Sequence, residues 1–264
     1  MNKTIVVAAV AVLAVSGFAS TVSVSFETSS DVNQFTGGWG SPSWIANPHG
    51  SGHVVQSQVN NNAPSYKYSP GGVDYLVGAG TTISVDCDAM LHGHAGLLLQ
   101  QKSISEQYKA FLQFDIPSNT EYLTVGNFDQ WGYTPGGHTG ATKIPVGNFY
   151  PTPEQVASNY LWFGWYHMAA VVSTVNTNQY KVVVTVTDPS SNSYTATYID
   201  SGTARYTYAA PVGLAAASGY YNLHSFDNFQ IVPEPATMCL LALGGLAMVR
   251  RRQENQKGAS RTSS

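Results

Sequence analysis

Two glycine-rich segments of the sequence bring aromatic and polar side chains together in a pattern that suits sugar binding. Sugars lay the C–H faces of their rings on aromatic side chains, while neighbouring polar groups exchange hydrogen bonds with the hydroxyls. Loop tryptophans also fold back over the end of a β-sandwich, and the sequence leaves both roles open. The residues that fit a carbohydrate-binding role are Trp131, Tyr133, Asn127, Asp129, Trp39 and Trp44.

Catalytic chemistry has weaker support in the residue spacing. Asp86 and Asp88 alternate on one predicted strand and so share a face, but two acids on an outward sheet face are more often solvated surface. A retaining glycosidase needs two carboxyl groups about 5 to 5.5 Å apart, and no Glu-x-Asp-x-x-Glu pattern occurs. Cys87 lies in mid-strand between the two acids and is expected to be a buried, unreactive thiol. We therefore predict no enzymatic activity, with a glycoside hydrolase as the alternative.

His92 and His94 form the metal-like pair of the sequence, because residues i and i+2 of a strand project to the same side. With Asp86 or Asp88 nearby they could complete a zinc site. Two ligands alone do not make such a site, so a turn with two solvated histidines is the favoured interpretation.

The elements that must position these residues are strands. Apolar and polar residues alternate with a period of two along most of the chain, and turn-forming residues separate the alternating segments. A helical signal occurs near Thr152, where a turn or two of helix is expected inside a loop. This pattern predicts one all-β domain, an antiparallel two-sheet sandwich. The predicted strands are 22–26, 53–59, 81–87, 96–101, 107–115, 121–128, 160–172, 179–187, 193–200 and 220–231.

Segments of these strands resemble known jelly rolls. Residues 95–100, 165–172, 181–184 and 225–231, in this order, are similar to concanavalin-like and laminin-G-like jelly rolls. The opening Ser-Phe-Glu of 25–27, with Trp39 and the closing Phe-Asp-Asn-Phe, also resembles carbohydrate-binding modules of the galactose-binding-like type. The resemblance implies a two-sheet jelly roll over residues 20–231. The choice between the two superfamilies stays open, although the length favours the concanavalin-like one.

The same alternation predicts which side chains form the core. Phe226 and Phe229 should face opposite sheet surfaces or bracket a bulge around Asp227 and Asn228. The residues expected to be mostly buried are Leu97, Leu99, Phe111, Phe114, Trp165, Val183, Phe226 and Phe229.

Glu27 and Asp227 are the acids that follow Phe26 and Phe226 near the two ends of this domain. Jelly rolls often place the first and last strands side by side, which would bring these two carboxylates together. The resemblance to carbohydrate-binding modules implies that they hold a structural calcium ion, which prefers oxygen ligands. The alternative is that Asp227 only accepts hydrogen bonds from turn amides.

Both ends of the chain carry targeting sequence. Residues 1–19 combine a charged start, an apolar stretch and small residues before the cleavage point, which is typical of a signal peptide. Residues 232–252 contain an apolar run that would reach only about 21 Å as a helix, short of the roughly 30 Å membrane core, and residues 253–264 form a polar tail. This apolar run would form a short transmembrane helix. The residues that flank it are Pro233, Glu234, Pro235, Arg250, Arg251 and Arg252.

This C-terminal arrangement resembles the PEP-CTERM sorting signal of Gram-negative, exopolysaccharide-producing bacteria. The resemblance implies an exosortase-type sorting enzyme as partner, a transient inner-membrane intermediate, and delivery to the cell surface. An ordinary C-terminal anchor held inside by the arginines is the alternative.

Removing both targeting segments changes the charge balance. Residues 20–232 contain five Lys and one Arg against nine Asp and four Glu, a net charge of −7. Such a surface does not suit phosphate backbones, so nucleic acid is not expected as a partner. Because Cys239 lies in the sorting segment, Cys87 would be alone in the processed protein and no intramolecular disulfide could form.

These observations favour an exported cell-surface or extracellular-matrix protein that binds a glycan and is associated with exopolysaccharide. The alternatives are a structural surface protein without a ligand and the glycoside hydrolase considered above.

Overall fold

The computed structural model describes most of the predicted jelly-roll domain. Residues 22–231 form one compact unit. Several predicted features lie outside the described residues, namely the signal peptide, the sorting segment beyond Val232, the helical signal near Thr152, and Trp39, His92, Trp131 and Tyr133. The described residues are 21–37, 42–57, 65–90, 93–103, 105–115, 118–129, 140–148, 162–176, 179–200, 209–218 and 224–232.

Strands dominate the described residues. Helical structure there is limited to a short helix α1 at Ser29–Val32 and a 3₁₀ turn at Pro70–Gly72. The strands are β1 (Val22–Val24), β2 (Phe35–Gly37), β3 (Ser43–Ala46), β4 (His53–Gln56), β5 (Ser65–Tyr68), β6 (Leu76–Val77), β7 (Thr82–Met90), β8 (Gly93–Ser103), β9 (Glu106–Asp115), β10 (Thr120–Phe128), β11 (Thr142–Asn148), β12 (Trp162–Asn176), β13 (Gln179–Thr187), β14 (Ser193–Ile199), β15 (Ala210–Pro211), β16 (Gly213–Ser218) and β17 (Ser225–Val232).

The strands form two large antiparallel sheets, which confirms the predicted fold class. Sheet A has the strand order β14-β13-β12-β7-β17-β4-β3, and β1 also pairs with β17. Sheet B has the order β11-β10-β9-β8-β16-β5-β2. A separate ribbon pairs β6 with β15. Since sequence neighbours β7 and β8 belong to different sheets, the chain crosses between layers, as a jelly roll requires.

The core lies between the two sheets and follows the alternation of the sequence. In β13, Val182, Val184 and Val186 face the core while their neighbours face outward. Six of the eight predicted core residues are buried, and Trp165 and Val183 are the exceptions. Both were assigned to the wrong phase of the alternation: each is partly exposed on the outer face of sheet A, one residue away from a buried neighbour.

The strand β17 contains the irregularity expected around Asp227 and Asn228. Phe226 and Phe229 both face the core and are fully buried, so an even spacing of two cannot hold between them. Asn228 has φ 49°, in the left-handed region that asparagine tolerates better than most residues. Phe226 pairs with β4, whereas Phe229 pairs with β1, so the irregularity lies where β17 changes partner.

Seven strands were not predicted from the sequence. Five of them are two to four residues long, β16 is poor in β-branched residues (Gly-Leu-Ala-Ala-Ala-Ser), and β11 contains a proline. Pairing with a stronger neighbour such as β8 recruits these segments into the sheets, because tertiary context outweighs local propensity. The unpredicted strands are β2, β3, β5, β6, β11, β15 and β16.

Candidate functional site

The outer face of sheet B, called face B below, is the part of the structure best suited to hold a ligand. Strand register places its side chains in rows across the sheet. The first row is His94, Gln113 and Tyr122; the second is Ala215, Gly96, Phe111, Thr124 and Lys143; the third is Gly213, Leu98, Lys109 and Gly126. Their chain neighbours Leu97, Ala110, Leu112, Leu123 and Val125 point into the core, so these rows point away from it.

Face B carries an apolar cluster of its own, separate from the core between the sheets. Leu98, Phe111, Phe128 and Ala215 form it, and all four are buried. The Phe111 and Phe128 rings lie 5.7 Å apart in a tilted arrangement, within the range of favourable aromatic pairs. An outward sheet face normally carries solvated side chains, so buried rings here mark a surface of different character.

Lys109 is the buried cation of this face. It is 0% exposed, its Nζ donates a hydrogen bond to the Asp129 carbonyl oxygen at 3.3 Å, and the Nζ lies 5.8 Å from the centre of the Phe111 ring. Burial lowers the pKa of Lys109 to about 7, against the opposing charge of Asp129. The sequence analysis missed this residue. The available signal was its place in an alternating strand, between the outward-facing Gln107 and Phe111.

Amide and hydroxyl groups surround the rings of face B. Ser65 Oγ donates to Gln107 Oε1 at 2.8 Å, and Thr124 Oγ1 donates to Gln113 Oε1 at 3.3 Å. At the edge of the sheet, the exposed Lys143 places its Nζ 4.0 Å from the centre of the Tyr122 ring. Aromatic rings beside amides, hydroxyls and ammonium groups can pack on a sugar ring and hydrogen-bond its polar substituents.

Three of the predicted carbohydrate-binding residues can be placed. Asp129 follows β10 at the edge of face B and is partly buried. Asn127 points the other way, into the domain, and is 0% exposed. The Trp44 ring stacks on His53 at 3.8 Å, and its Nε1 donates to the Phe26 carbonyl oxygen at 2.8 Å. Trp44 is partly buried and packs against the core.

His94 also departs from its prediction. It is not a solvated turn residue but lies on β8, with its ring centre 5.7 Å from that of Phe111. Burial lowers the pKa of His94 to about 4, and the charges of His224 and Lys143 act in the same direction. His94 is therefore a neutral part of face B at physiological pH.

The acids of β7 belong to the outer face of sheet A, called face A below. Asp88 is 1% exposed, which contradicts its prediction as solvated surface, and it accepts a hydrogen bond from the Ser225 backbone N–H at 2.9 Å. Asp86 is more exposed; its Oδ1 lies 2.6 Å from His167 Nδ1, and its Oδ2 accepts from Asn228 Nδ2 at 2.8 Å. The two carboxyl groups thus tie neighbouring strands to β7.

Cys87 and Glu121 are two of the buried titratable groups inside the sandwich. Burial raises the pKa of the Cys87 thiol well above its usual value, and the charges of Asp88, Asp86 and Glu121 add to this. The prediction of a buried, unreactive thiol is therefore consistent with its position. Burial likewise raises the pKa of Glu121 well above its usual value.

Glu27 follows β1 in the sequence and Asp227 lies in β17. These two strands are paired in the sheet, with Val24 opposite Phe229. Burial raises the pKa of Asp227 to about 6; the Asn228 N–H opposes this shift, and the charges of Asp86 and Glu27 add to it. Across the described residues, no three His, Cys, Asp or Glu side chains are grouped so that they could hold a metal ion. Side chains alone therefore do not complete a calcium site here, and the calcium ion remains a prediction.

Comparison with known proteins identifies the C-terminal segment. The PEP-CTERM protein-sorting motif matches residues 232–253. No curated protein sequence matches the chain. Among the described residues, no helix is both long and apolar enough to cross a membrane.

Several solved structures share the general fold at low sequence identity. A PL-14 alginate lyase from Aplysia kurodai has 12% identity and a TM-score of 0.49, covering 81% of this chain and 98% of its own. The apo Crh5 transglycosylase has 13% identity and a TM-score of 0.45, covering 82% and 85%. Peanut lectin has 11% identity and a TM-score of 0.40, covering 81% and 98%.

The sorting motif confirms the prediction for residues 232–252 almost to the residue. It implies processing by an exosortase, and it marks the chain as an exported protein that is anchored or processed at the cell envelope.

Proposed function

We propose that this exported protein binds a glycan through face B and is associated with exopolysaccharide at the cell surface or in the extracellular matrix. The observation that carries the proposal is that Gln113 and Tyr122 are partly exposed side by side, close to the buried cluster of Phe111 and Phe128, on the side of sheet B that faces away from the core. A sugar uses both kinds of group, because its C–H face packs on apolar side chains and its hydroxyls exchange hydrogen bonds with amides and hydroxyls.

The proposal assigns no catalytic role to the acids of the chain. Asp86 and Asp88 share a strand, but each is engaged in hydrogen bonds between strands of sheet A, and Asp88 is buried. Glu121 is enclosed in the core. A glycosidase needs one carboxylate and one carboxylic acid that both reach the scissile bond.

The rest of the proposal concerns the route to the surface. We propose a Gram-negative host, a signal peptide over residues 1–19, a transient inner-membrane intermediate through the C-terminal apolar segment, and no nucleic-acid partner. The match to the sorting motif and the charge of −7 over residues 20–232 support this route.

Binding of the full-length chain, purified in mild detergent, to exopolysaccharide of the producing bacterium tests the function. Gln113→Ala and Tyr122→Ala remove partly exposed groups of face B, and each should weaken binding about tenfold, the loss of about 1.4 kcal/mol. Thr185→Ala and Thr195→Ala are the matched controls on face A, where the two hydroxyls bond each other at 3.0 Å. A chain that binds no polysaccharide would support the alternative of a structural surface protein. Loss of binding in the face A variants alone would mean that the site lies on face A and not on face B.

A further inference from the structure

The lysines of the domain are distributed unevenly between the two outer faces of the sandwich. Three of the five lysines in residues 20–232 lie on face B: Lys67, Lys109 and Lys143. Face A carries Lys181 but also Asp86 and Asp88, with Asp227 and Glu27 beside them. A domain with a net charge of −7 therefore concentrates its few ammonium groups on one side.

The lysines of face B are not equally available to a ligand. Lys67 Nζ is paired with Asp74 Oδ2 at 2.6 Å, which neutralises its charge locally. Across the described residues, no carboxylate lies within ion-pair distance of Lys109 or Lys143. These two ammonium groups are the ones that an anionic ligand would complement.

Lys143 is the group that a ligand can reach. Its side chain is exposed at the edge of sheet B, and its Nζ lies over the Tyr122 ring. Gln113 is next to Tyr122 across the sheet and is partly exposed. An ammonium, an aromatic ring and an amide thus stand side by side, which suits a sugar ring that bears a carboxylate.

Lys109 lies on the same face, two strands away from Lys143. Its ammonium is fully buried, and its hydrogen-bond acceptor among the described residues is a neutral backbone carbonyl. A buried ammonium is costly unless negative charge lies near it, and a positive group at low dielectric attracts anions more strongly than a solvated one. An anion seated on face B would offset that cost.

We propose that face B binds a polysaccharide whose sugars carry carboxylate groups, with Lys143 contacting a carboxylate and Lys109 adding positive potential from two strands away on the same face. This inference rests on the proposed function and deepens it, because it names the class of glycan. Neutral polysaccharide is the competing occupant, and it forms one arm of the test.

The experiment compares three probes with the full-length chain in mild detergent at low salt. The probes are the anionic fraction of the producing bacterium's exopolysaccharide, the same fraction after its carboxyl groups have been reduced to alcohols, and the neutral fraction. We expect the anionic fraction to bind at least tenfold more tightly than the other two, and its advantage to shrink as salt screens the charges.

Variants assign the preference to face B. Lys143→Gln should weaken binding of the anionic fraction about two- to fivefold, the range of an exposed ion pair, and leave binding of the reduced fraction unchanged. Lys181→Gln on face A is the matched control and should change neither. Lys109→Met should reduce the preference for the anionic fraction more than Lys143→Gln does. Thermal unfolding of Lys109→Met shows whether this variant is folded.

The outcomes separate this inference from the proposed function. Equal binding of all three probes, or a Lys143→Gln variant that keeps the full preference, overturns the inference and leaves glycan binding in place. Failure to bind any of the three probes overturns both.

Discussion

Face A and face B are built on sheets of similar size, yet only one of them is an ordinary solvated surface. On face A, hydroxyls meet across strands at the surface: Thr185 bonds Thr195 at 3.0 Å and Thr187 bonds Ser193 at 3.2 Å. Face B, in contrast, carries buried phenylalanines and a buried lysine. The comparison shows that the cluster on face B is shielded from water, while the compared strands of face A are not.

The burial patterns of the strands record this difference. β13 of sheet A alternates strictly between buried and partly exposed residues, as expected for a sheet with one wet face. β10 of sheet B is buried at almost every position. Side chains on the outer side of β10 are therefore held as tightly as core residues, and titratable groups beside them experience a low dielectric.

The largest expected effect in this comparison is the pH dependence that Lys109 gives to the free energy of unfolding. Its folded-state pKa of about 7 is below the unfolded value near 10.5, so the unfolded chain retains a proton that the folded chain releases between these limits. The free energy of unfolding should rise with pH across that window, and the full penalty should apply below pH 7. Lys109→Met should therefore stabilise the protein by about 4 kcal/mol more at pH 6 than at pH 10.

Urea unfolding of wild-type and Lys109→Met protein at both pH values measures this effect. Lys181→Met on face A is the control, since Lys181 is more accessible to water. Parallel pH profiles for the wild type and Lys109→Met would mean that Lys109 is solvated and that face B is an ordinary surface.

A second prediction compares apolar side chains on the two faces. Phe111→Ala should reduce the free energy of unfolding by about 3 to 4 kcal/mol, because it empties the cluster shared with Phe128 and Leu98. Val183→Ala on face A should cost less than about 1 kcal/mol, since that side chain is already partly exposed. Chemical denaturation with a common m-value checks both. Similar losses for the two variants would remove the distinction between the faces.

A third prediction uses one histidine on each face. His94 on face B has a pKa lowered to about 4 by burial, so its neutral form is favoured in the folded state. Stability linked to His94 is fully present above the unfolded value near 6.5 and is lost as pH falls towards 4, by about 2 to 3 kcal/mol. His94→Gln should flatten this acid limb.

His167 on face A should behave in the opposite sense. Its hydrogen bond to Asp86 raises its pKa, so the stability it contributes is present below about pH 6.5 and is lost as pH rises through the raised value. The side chain is half exposed, so the effect should stay within about 1 kcal/mol. The differences in unfolding free energy between wild type and His94→Gln and between wild type and His167→Gln should change with opposite slopes from pH 4 to 8. Equal slopes would contradict the assignment of one histidine to a dry face and the other to a wet one.

The sequence predicted the parts of this molecule that depend on local alternation. The long strands of sheet A and the fold class follow from segments rich in β-branched residues, as in β13. Phase errors arose at Trp165 and Val183, which lie in nearly continuous apolar runs where alternation carries little information.

Face B could not be predicted because its character depends on long-range pairing. The cluster joins Ala215 of β16 to Leu98 of β8 and Phe111 of β9, which are far apart in sequence. Lys109 looks like an ordinary outward-facing strand residue until those neighbours are known. The sequence analysis instead selected residues of two glycine-rich segments. Of these, Trp44 packs against the core and Asn127 faces inward.

The smallest expected effect concerns Glu27 and Asp227, at the edge of face A. Two nearby carboxylates repel each other, which is one reason why the pKa of Asp227 is raised to about 6. A calcium ion bound there would complete its coordination with backbone carbonyls and water, and at tenfold excess over its Kd it would stabilise the fold by about 1.4 kcal/mol. We expect the melting temperature at pH 7.5 to rise with added calcium and to return with EDTA. Asp227→Asn should abolish the response, whereas Asp188→Asn, in the β13–β14 turn, should retain it. If the melting temperature does not change with calcium, the calcium site is refuted. The alternative, that Asp227 only accepts hydrogen bonds from turn amides, would then be supported, since its Oδ1 already accepts from the Asn228 N–H at 2.7 Å.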